Sequence, residues 1–363
     1  IATALDVVLD ERRRETMRRA GLRDVEAFIS LQKGRERFDE AHGEADQVAG
    51  LLDANRYFEE VLDRVPGYPA ALINHADPYV HILDVAAWRE ATPESEQQTA
   101  EALEQAVRDL TGAAENARNF EERAAVEFDL AVVNSNLRGV RSRLQRYLQL
   151  EGCEHPFWID PMATIFGYAD SLRDRLEAVR RCDPMSPIIV FSQSRAALWA
   201  GEPEQALEIA MKARDSLSHP WLDVAINNAL VAMGQFETAA AETSLQHKDS
   251  YLNAVVEFSR AAARGDRTRA HALQQSIFEH PEAADFERLQ IHAMLGEREQ
   301  ANAIASRVDQ RARMPMSLML VTLWCHCGAP FDLEATPNFA AKLSEGELPW
   351  PPPSPIDFPL KDW

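Results

Sequence analysis

The 363-residue sequence has no run of about 18 uncharged apolar residues, the length a helix needs to cross a bilayer, so no membrane span is expected in it. It has no excess of basic residues. Against 58 Asp and Glu stand 38 Lys and Arg, for a net charge of −20. That balance excludes a general nucleic-acid binder, which needs basic surface to displace counterions from phosphates. The P-loop, GxGxxG, GxSxG and HExxH patterns are all missing, so no catalytic residue, cofactor or metal site is expected. Cysteine is scarce. Cys153, Cys182, Cys325 and Cys327 are scattered along the chain and suggest no disulfide framework. A reducing, cytoplasmic compartment is the corresponding expectation, or the periplasm if a membrane segment lies upstream. The first residues, IATALDVVLDERRRETMRRAG, carry no signal peptide and begin with Ile, so the chain reads as part of a longer protein.

What is present is a folded, helical pattern. Hydrophobic residues make up 46% of the chain, enough for a core. Residues 1–20 read as an amphipathic linker helix from an upstream domain, basic at Arg12, Arg13, Arg14, Arg18 and Arg19 and ended by Gly21. The clearest stretch is Ser186 to Pro220. One helix there stops at Ala200-Gly201. A second carries Ala206, Leu207, Ala210 and Ala213, with the alanines forming a smooth face toward a neighbour. Glycines then recur at 201, 234, 265 and 296, spaced 33, 31 and 31. The small residues that open the following helices, Ala206, Ala239, Ala270 and Ala301, keep the same spacing. Two independent markers on one period predict stacked helix pairs, since one pair cannot bury its apolar face alone.

Weaker copies precede these. Ala54, Phe58, Val61 and Pro66 have gaps of 4, 3 and 5, and Leu172, Leu176, Val179 and Pro184 repeat them. Val140, Leu144 and Tyr147 keep the 4 and 3 spacing. After His42 the first turn is long, which implies an inserted loop or an extra helical turn. Leu72, Ala76 and Tyr79 mark a helix in which Pro78 predicts a kink or a late start. Its partner is expected over about 93–111, with Ala102 and Ala106 on the packing face. EGCEHPFWIDP reads as a loop. Near the end, PMSLMLVTLWCHCGA is a strongly apolar helix, and LPWPPPSPIDFPLKDW has too many prolines for a helix. Its Trp350, Ile356, Phe358 and Trp363 predict a tail lying back on the array.

These repeats resemble tetratricopeptide (TPR) units, whose period is roughly 34 residues. The resemblance implies an all-α fold: a right-handed α-α superhelix of about eight helix pairs over 21–313, then a capping helix and extended Pro-rich tail over 314–363. The chain also resembles a bacterial architecture in which a TPR-like array follows a TolB-like domain. In those proteins the N-terminus is a cyclase or a winged-helix DNA-binding domain. IATALDVVLDERRR, RRAGLRDVEAFISLQKG, CDPMSPIIVFSQSRAALWAGEPEQALEIAMKA and APFDLEATPNFAAKLSEGELPWPPPSPIDFP carry that resemblance. It implies a non-catalytic, peptide-binding regulatory module.

The inner helices would supply the binding surface. Ser192, Gln193 and Arg195 sit on one of them, and Asn227 and Asn228 on the next. A basic patch offers a second place: Arg123, Arg138 and Arg141, with Arg143 and Arg146. It either pairs with Glu121, Glu122 and Glu127 or anchors a carboxylate or phosphate. Cys325-His326-Cys327 on one helix would point about 100° apart, which argues against a shared metal. His75, Asp77, Tyr79, His81 and Asp84 form the densest acid/base set, but no nucleophile or oxyanion site accompanies it. Two further readings stand beside peptide binding: self-association through the apolar helix 316–325, and an enzyme using His75–Asp84.

Overall fold

The computed structural model describes residues 21–353 and 356–361, apart from residues 45, 154, 218, 244–249 and 282 and the side chain of residue 252. The helix expected over 1–20, and Trp363, lie outside the described residues. Among the described residues there is no strand; eighteen α-helices carry the fold. They run α1 (Val25–Ala41), α2 (Gln47–Arg64), α3 (Pro69–Trp88), α4 (Pro93–Glu115), α5 (Phe120–Val133), α6 (Val140–Tyr147), α7 (Ile159–Ile165), α8 (Ala169–Cys182) and α9 (Pro187–Trp199). The second half comprises α10 (Pro203–Arg214), α11 (Pro220–Ala232), α12 (Phe236–Glu242), α13 (Ser250–Arg264), α14 (Arg267–Phe278), α15 (Asp285–Met294), α16 (Arg298–Arg311), α17 (Leu318–Cys325) and α18 (Pro337–Glu345).

The helix starts follow from local chemistry. Pro69, Pro93, Pro187, Pro203, Pro220 and Pro337 each open a helix, where the missing N–H has no partner to lose. Asp24, Asp46, Asn119 and Asp266 cap others by accepting a backbone N–H with the side chain. Thr92 and Ser95 form a reciprocal capping box.

The helix stops repeat one device. At Gly201 the φ is +82°, its N–H reaches Leu198 O at 3.1 Å and Glu202 N–H reaches Ala197 O at 3.0 Å. The same pair of bonds, a Schellman closure, recurs at Gly234, Gly265 and Gly296. Two earlier closures escape the glycine count. Gly167 has φ +87°, and Ser135 holds the same conformation without being glycine (φ 53°). Gly234→Ala is expected to lower the unfolding free energy by about 1 kcal/mol, because a methyl group there meets nothing and only the left-handed backbone resists it. Gly167→Ala should cost more, since its methyl group would lie 2.8 Å from Pro353. Chemical denaturation of the two variants checks the order.

Eight consecutive pairs, α1/α2 to α15/α16, form the array, and the small residues at their seams are buried. Ala206, Ala239, Ala270 and Ala301 all have zero exposure. So do Ala54, Phe58 and Val61, and Leu172 and Leu176. The long first turn resolves as an extra helical turn, because α1 and α2 run 17 and 18 residues with a short connection. Helix α3 passes through Pro78 and starts at Pro69, so the late start is not observed. EGCEHPFWIDP is not all loop. Its last residues open α7, with Pro161 in the first turn, where proline is tolerated. Helix α4 extends to Glu115, beyond the expected end.

From the fourth pair onward, the first helices of successive pairs touch: α7 with α9, α9 with α11, α11 with α13, α13 with α15, and α15 with α17. Helix α17 packs back on α7 and closes this inner row. Arg311 at the end of α16 donates through Nε to the carbonyl of Ala87 at the end of α3 (2.8 Å). The rings of Trp88 and Phe286 lie 5.1 Å apart. Early and late repeats therefore meet, and the array encloses its concave side. No helix among the described residues is long and apolar enough to cross a membrane.

The tail does lie back. Trp350 stacks on Phe331 (5.4 Å) and meets Phe339 edge-on (5.2 Å), while Phe358 lies on His326 (4.8 Å). The apolar helix α17 is already used inside the chain. Leu318, Met319 and Val321 have zero exposure, so it presents no apolar face to a second copy.

Candidate functional site

Every odd-numbered helix from α1 to α17 contributes to one central cavity of about 1010 Å³. This follows from the pairing rule, since the first helix of each pair turns one face inward. Its walls combine aromatic rings, such as Trp221, Tyr251, Phe286 and Trp324, with carboxyl groups, among them Asp39, Asp77, Asp84, Asp129, Asp160 and Glu287. Arg35 and Arg195 are the cavity's two arginines among the described residues. The mouth is marked by exposed Gln32, Glu36, Val85, Phe157 and Met185.

Four of the five groove residues expected from sequence come together on this wall: Ser192, Arg195, Asn227 and Asn228. Gln193 does not line it. It faces the second-helix side, where it accepts from Arg180 (3.2 Å). Asn227 is fully buried and donates to Asn228 Oδ1 (3.2 Å). Arg195 donates through Nη2 to Asp160 Oδ2 (2.9 Å), with its guanidinium over Phe191 (4.8 Å) and Trp324 (5.9 Å). His155 approaches the other Asp160 oxygen at 3.3 Å. Burial pushes the Asp160 carboxyl up, but His155 and Arg195 outweigh it and bring it to about 2. Asp129 goes the other way. Burial lifts it to about 7, although it accepts the backbone N–H groups of Phe157 and Trp158 at 2.9 and 3.0 Å. It thereby fixes the loop that carries His155 and Trp158.

Arg123, Arg138 and Arg141 are exposed and none lines the cavity. Arg141 donates to the Tyr168 hydroxyl (3.1 Å), and Arg138 lies near Glu345. Glu122 pairs with Arg118 (2.7 Å), a partner the sequence reading did not consider.

The His75–Asp84 set divides between two faces of α3. His75 turns to the α4 side and meets Asp109 (2.7 Å). Asp77, His81 and Asp84 face the cavity. His81 pairs with Asp77 Oδ2 (3.4 Å), one turn back, and Asp84 accepts from the Trp88 indole (3.3 Å). His42, just past the end of α1, reaches the same Asp77 oxygen at 3.5 Å. Sequence reasoning missed His42, Asp129, His155 and Asp160. They lie on four different elements, and no spacing rule joins them.

The cysteines are paired in space, which corrects the expectation of no disulfide framework. Cys153, in the connection between α6 and α7, is bonded to Cys182 at the end of α8 (Cα–Cα 5.8 Å), and both line the cavity. Cys325 and Cys327 bond to each other (Cα–Cα 5.1 Å). They do not share a helix. Helix α17 ends at Cys325, and His326 turns left-handed (φ 53°). This pairing removes the ground on which a reducing compartment was expected. Comparison with protein-family models finds no match for the chain, and comparison with curated proteins finds none either.

Proposed function

We propose that this chain is a non-catalytic, peptide-binding repeat module of the TPR kind, a right-handed superhelix whose central cavity takes a short segment bearing a basic side chain. The observation that carries the reading is the cavity itself: about 1010 Å³, built by the inward helices, walled by aromatic rings, and with carboxylates outnumbering arginines. Its size falls at the upper end of ordinary ligand sites. An amine or guanidinium entering it gains carboxylate partners and aromatic faces together. Asn228 and Ser192 are placed to meet peptide backbone. In line with the resemblance to TolB-like/TPR proteins, the module would serve as the regulatory part of a bacterial signalling protein.

Titration with two peptide pools tests this, with Trp221 and Trp324 fluorescence as the readout. Pools rich in Lys and Arg should change the emission saturably. Pools rich in Asp and Glu should not. Equal responses, or saturation by the acidic pool alone, would contradict the reading.

A further inference from the structure

Two imidazoles converge on a single carboxylate oxygen, Asp77 Oδ2, in the cavity wall. His42 Nε2 is 3.5 Å from that oxygen and His81 Nε2 is 3.4 Å from it. All three candidate donor atoms lie within 4.8 Å of one another. Yet Asp77 Oδ2 and His81 Nε2 are buried and form no hydrogen bond of acceptable geometry. Two polar atoms are thus withdrawn from water and aimed at a common point without satisfying each other. Leaving buried polar atoms unsatisfied is unfavourable.

We propose that His42, Asp77 and His81 form a binding site for a divalent transition-metal ion of the zinc class, set in the cavity wall. Zinc bonds of about 2.0–2.2 Å to nitrogen and oxygen place neighbouring tetrahedral ligands about 3.4 Å apart. The two His–Asp distances match that edge. Two imidazoles and one carboxylate favour a transition metal over magnesium or calcium, which take oxygen ligands. Three protein ligands leave one coordination position.

The supporting contacts are those a metal-binding histidine needs. His42 Nδ1 lies 2.8 Å from the carbonyl of Phe38, which accepts its proton and leaves Nε2 as the free lone pair facing Asp77. Trp221 stands edge-on to His42 (5.8 Å between ring centres), and Phe157 to His81 (5.8 Å), so both rings are held in place. Asp77 and His81 are one helical turn apart on α3, a spacing that puts both on one face. His42, just past the end of α1, reaches them from the preceding helix pair. This site stands independently of the peptide reading and survives if that reading fails.

The test is calorimetric titration of the chelator-treated chain with Zn²⁺, repeated with Co²⁺ to read its absorption spectrum. One ion per chain is expected, with Co²⁺ bands of a four- or five-coordinate nitrogen and oxygen site. Loss of an outer-shell partner typically weakens binding 10–100-fold, so His42→Ala, Asp77→Ala and His81→Ala should each weaken it by more than about 100-fold. His271→Ala, an exposed histidine elsewhere, should change nothing. If the α3 variants do not fold, anomalous diffraction from Zn²⁺-soaked crystals of the unaltered chain decides. The peak must lie between His42, Asp77 and His81. No binding, a peak elsewhere, or a thiolate-to-cobalt charge-transfer band would overturn the proposal.

Discussion

Replacing Asp160 with alanine is expected to lower the unfolding free energy by about 3–5 kcal/mol, because it leaves Arg195 charged and unpaired in the wall of the cavity. The side chain of Arg195 is only 13% exposed, and its guanidinium lies over the rings of Phe191 and Trp324. The two partners respond differently to burial. Burial lowers the guanidinium's affinity for its proton, yet an arginine stays charged at any ordinary pH. The carboxylate therefore carries the pH dependence. Its folded-state value of about 2 lies below the usual 3.8. The resulting stability, about 2 kcal/mol, is present above pH 4 and is lost as pH falls through 2. Asp129 does not confuse that window. With a folded value of about 7 its contribution has the opposite sign, present below pH 4 and lost as pH rises through 7. Denaturant titrations of the natural chain and Asp160→Ala, compared between pH 2 and 7, check both points. The gap should narrow toward pH 2. A constant gap would mean that Asp160 is not ionised in the fold. The double variant Asp160→Ala, Arg195→Met should recover part of the loss, because the stranded charge is gone.

The second large effect is expected at the C-terminal end. Phe339→Ala should cost about 3–5 kcal/mol. Phe339 has zero exposure and forms a three-ring cluster with Phe331 and Trp350, at 5.7 and 5.2 Å. Its backbone is fixed as well. Asp309 on α16 accepts the N–H groups of Asn338 and Phe339 at 2.9 and 2.7 Å and so seats α18 on the last pair. Removing the ring undermines Trp350, and with it the start of the tail that continues over Gly167 to Phe358. Limited proteolysis should then cut the tail first. The described residues of the tail do not line the central cavity, so peptide titrations on the intact variant should match those of the natural chain. A variant that keeps its stability and an uncut tail would show that this cluster is not what holds the end in place.

How much of this was legible in the sequence differs by feature. The repeat marks were local: a glycine that must turn left-handed and an alanine that must touch its neighbour. Both fall at fixed positions and can be counted, so eight pairs were readable. Ser135 does the work of such a glycine without being one, and its unit looked weak for that reason. Helix α7 was hidden because Pro161 and its aromatic neighbours signal a loop, whereas a first helical turn accepts them. The inward faces of α9 and α11 were also legible, since repeat position fixes which helix points in. Gln193 was misplaced because adjacent residues on a helix point about 100° apart, so Gln193 and Ser194, between the cavity-lining Ser192 and Arg195, turn away. The closure of the array was not legible. It brings Arg311 to Ala87 and Phe286 to Trp88. It depends on small rotations summed over many pairs, which no short motif records.

The most direct measurement of the central claim pairs the natural chain with Asn228→Trp, titrated with the same Lys- and Arg-rich peptide pool. Asn228 stands half-buried on the cavity wall, and an indole there would fill ligand space without touching the glycine turns or the alanine seams. Saturable binding by the natural chain, lost in Asn228→Trp while helicity is unchanged and unfolding stays cooperative, is the predicted result; a modest drop in midpoint is expected, because Asn227 loses its acceptor. Undiminished binding by the filled variant would mean that peptides are held on the outer surface, and would contradict the account.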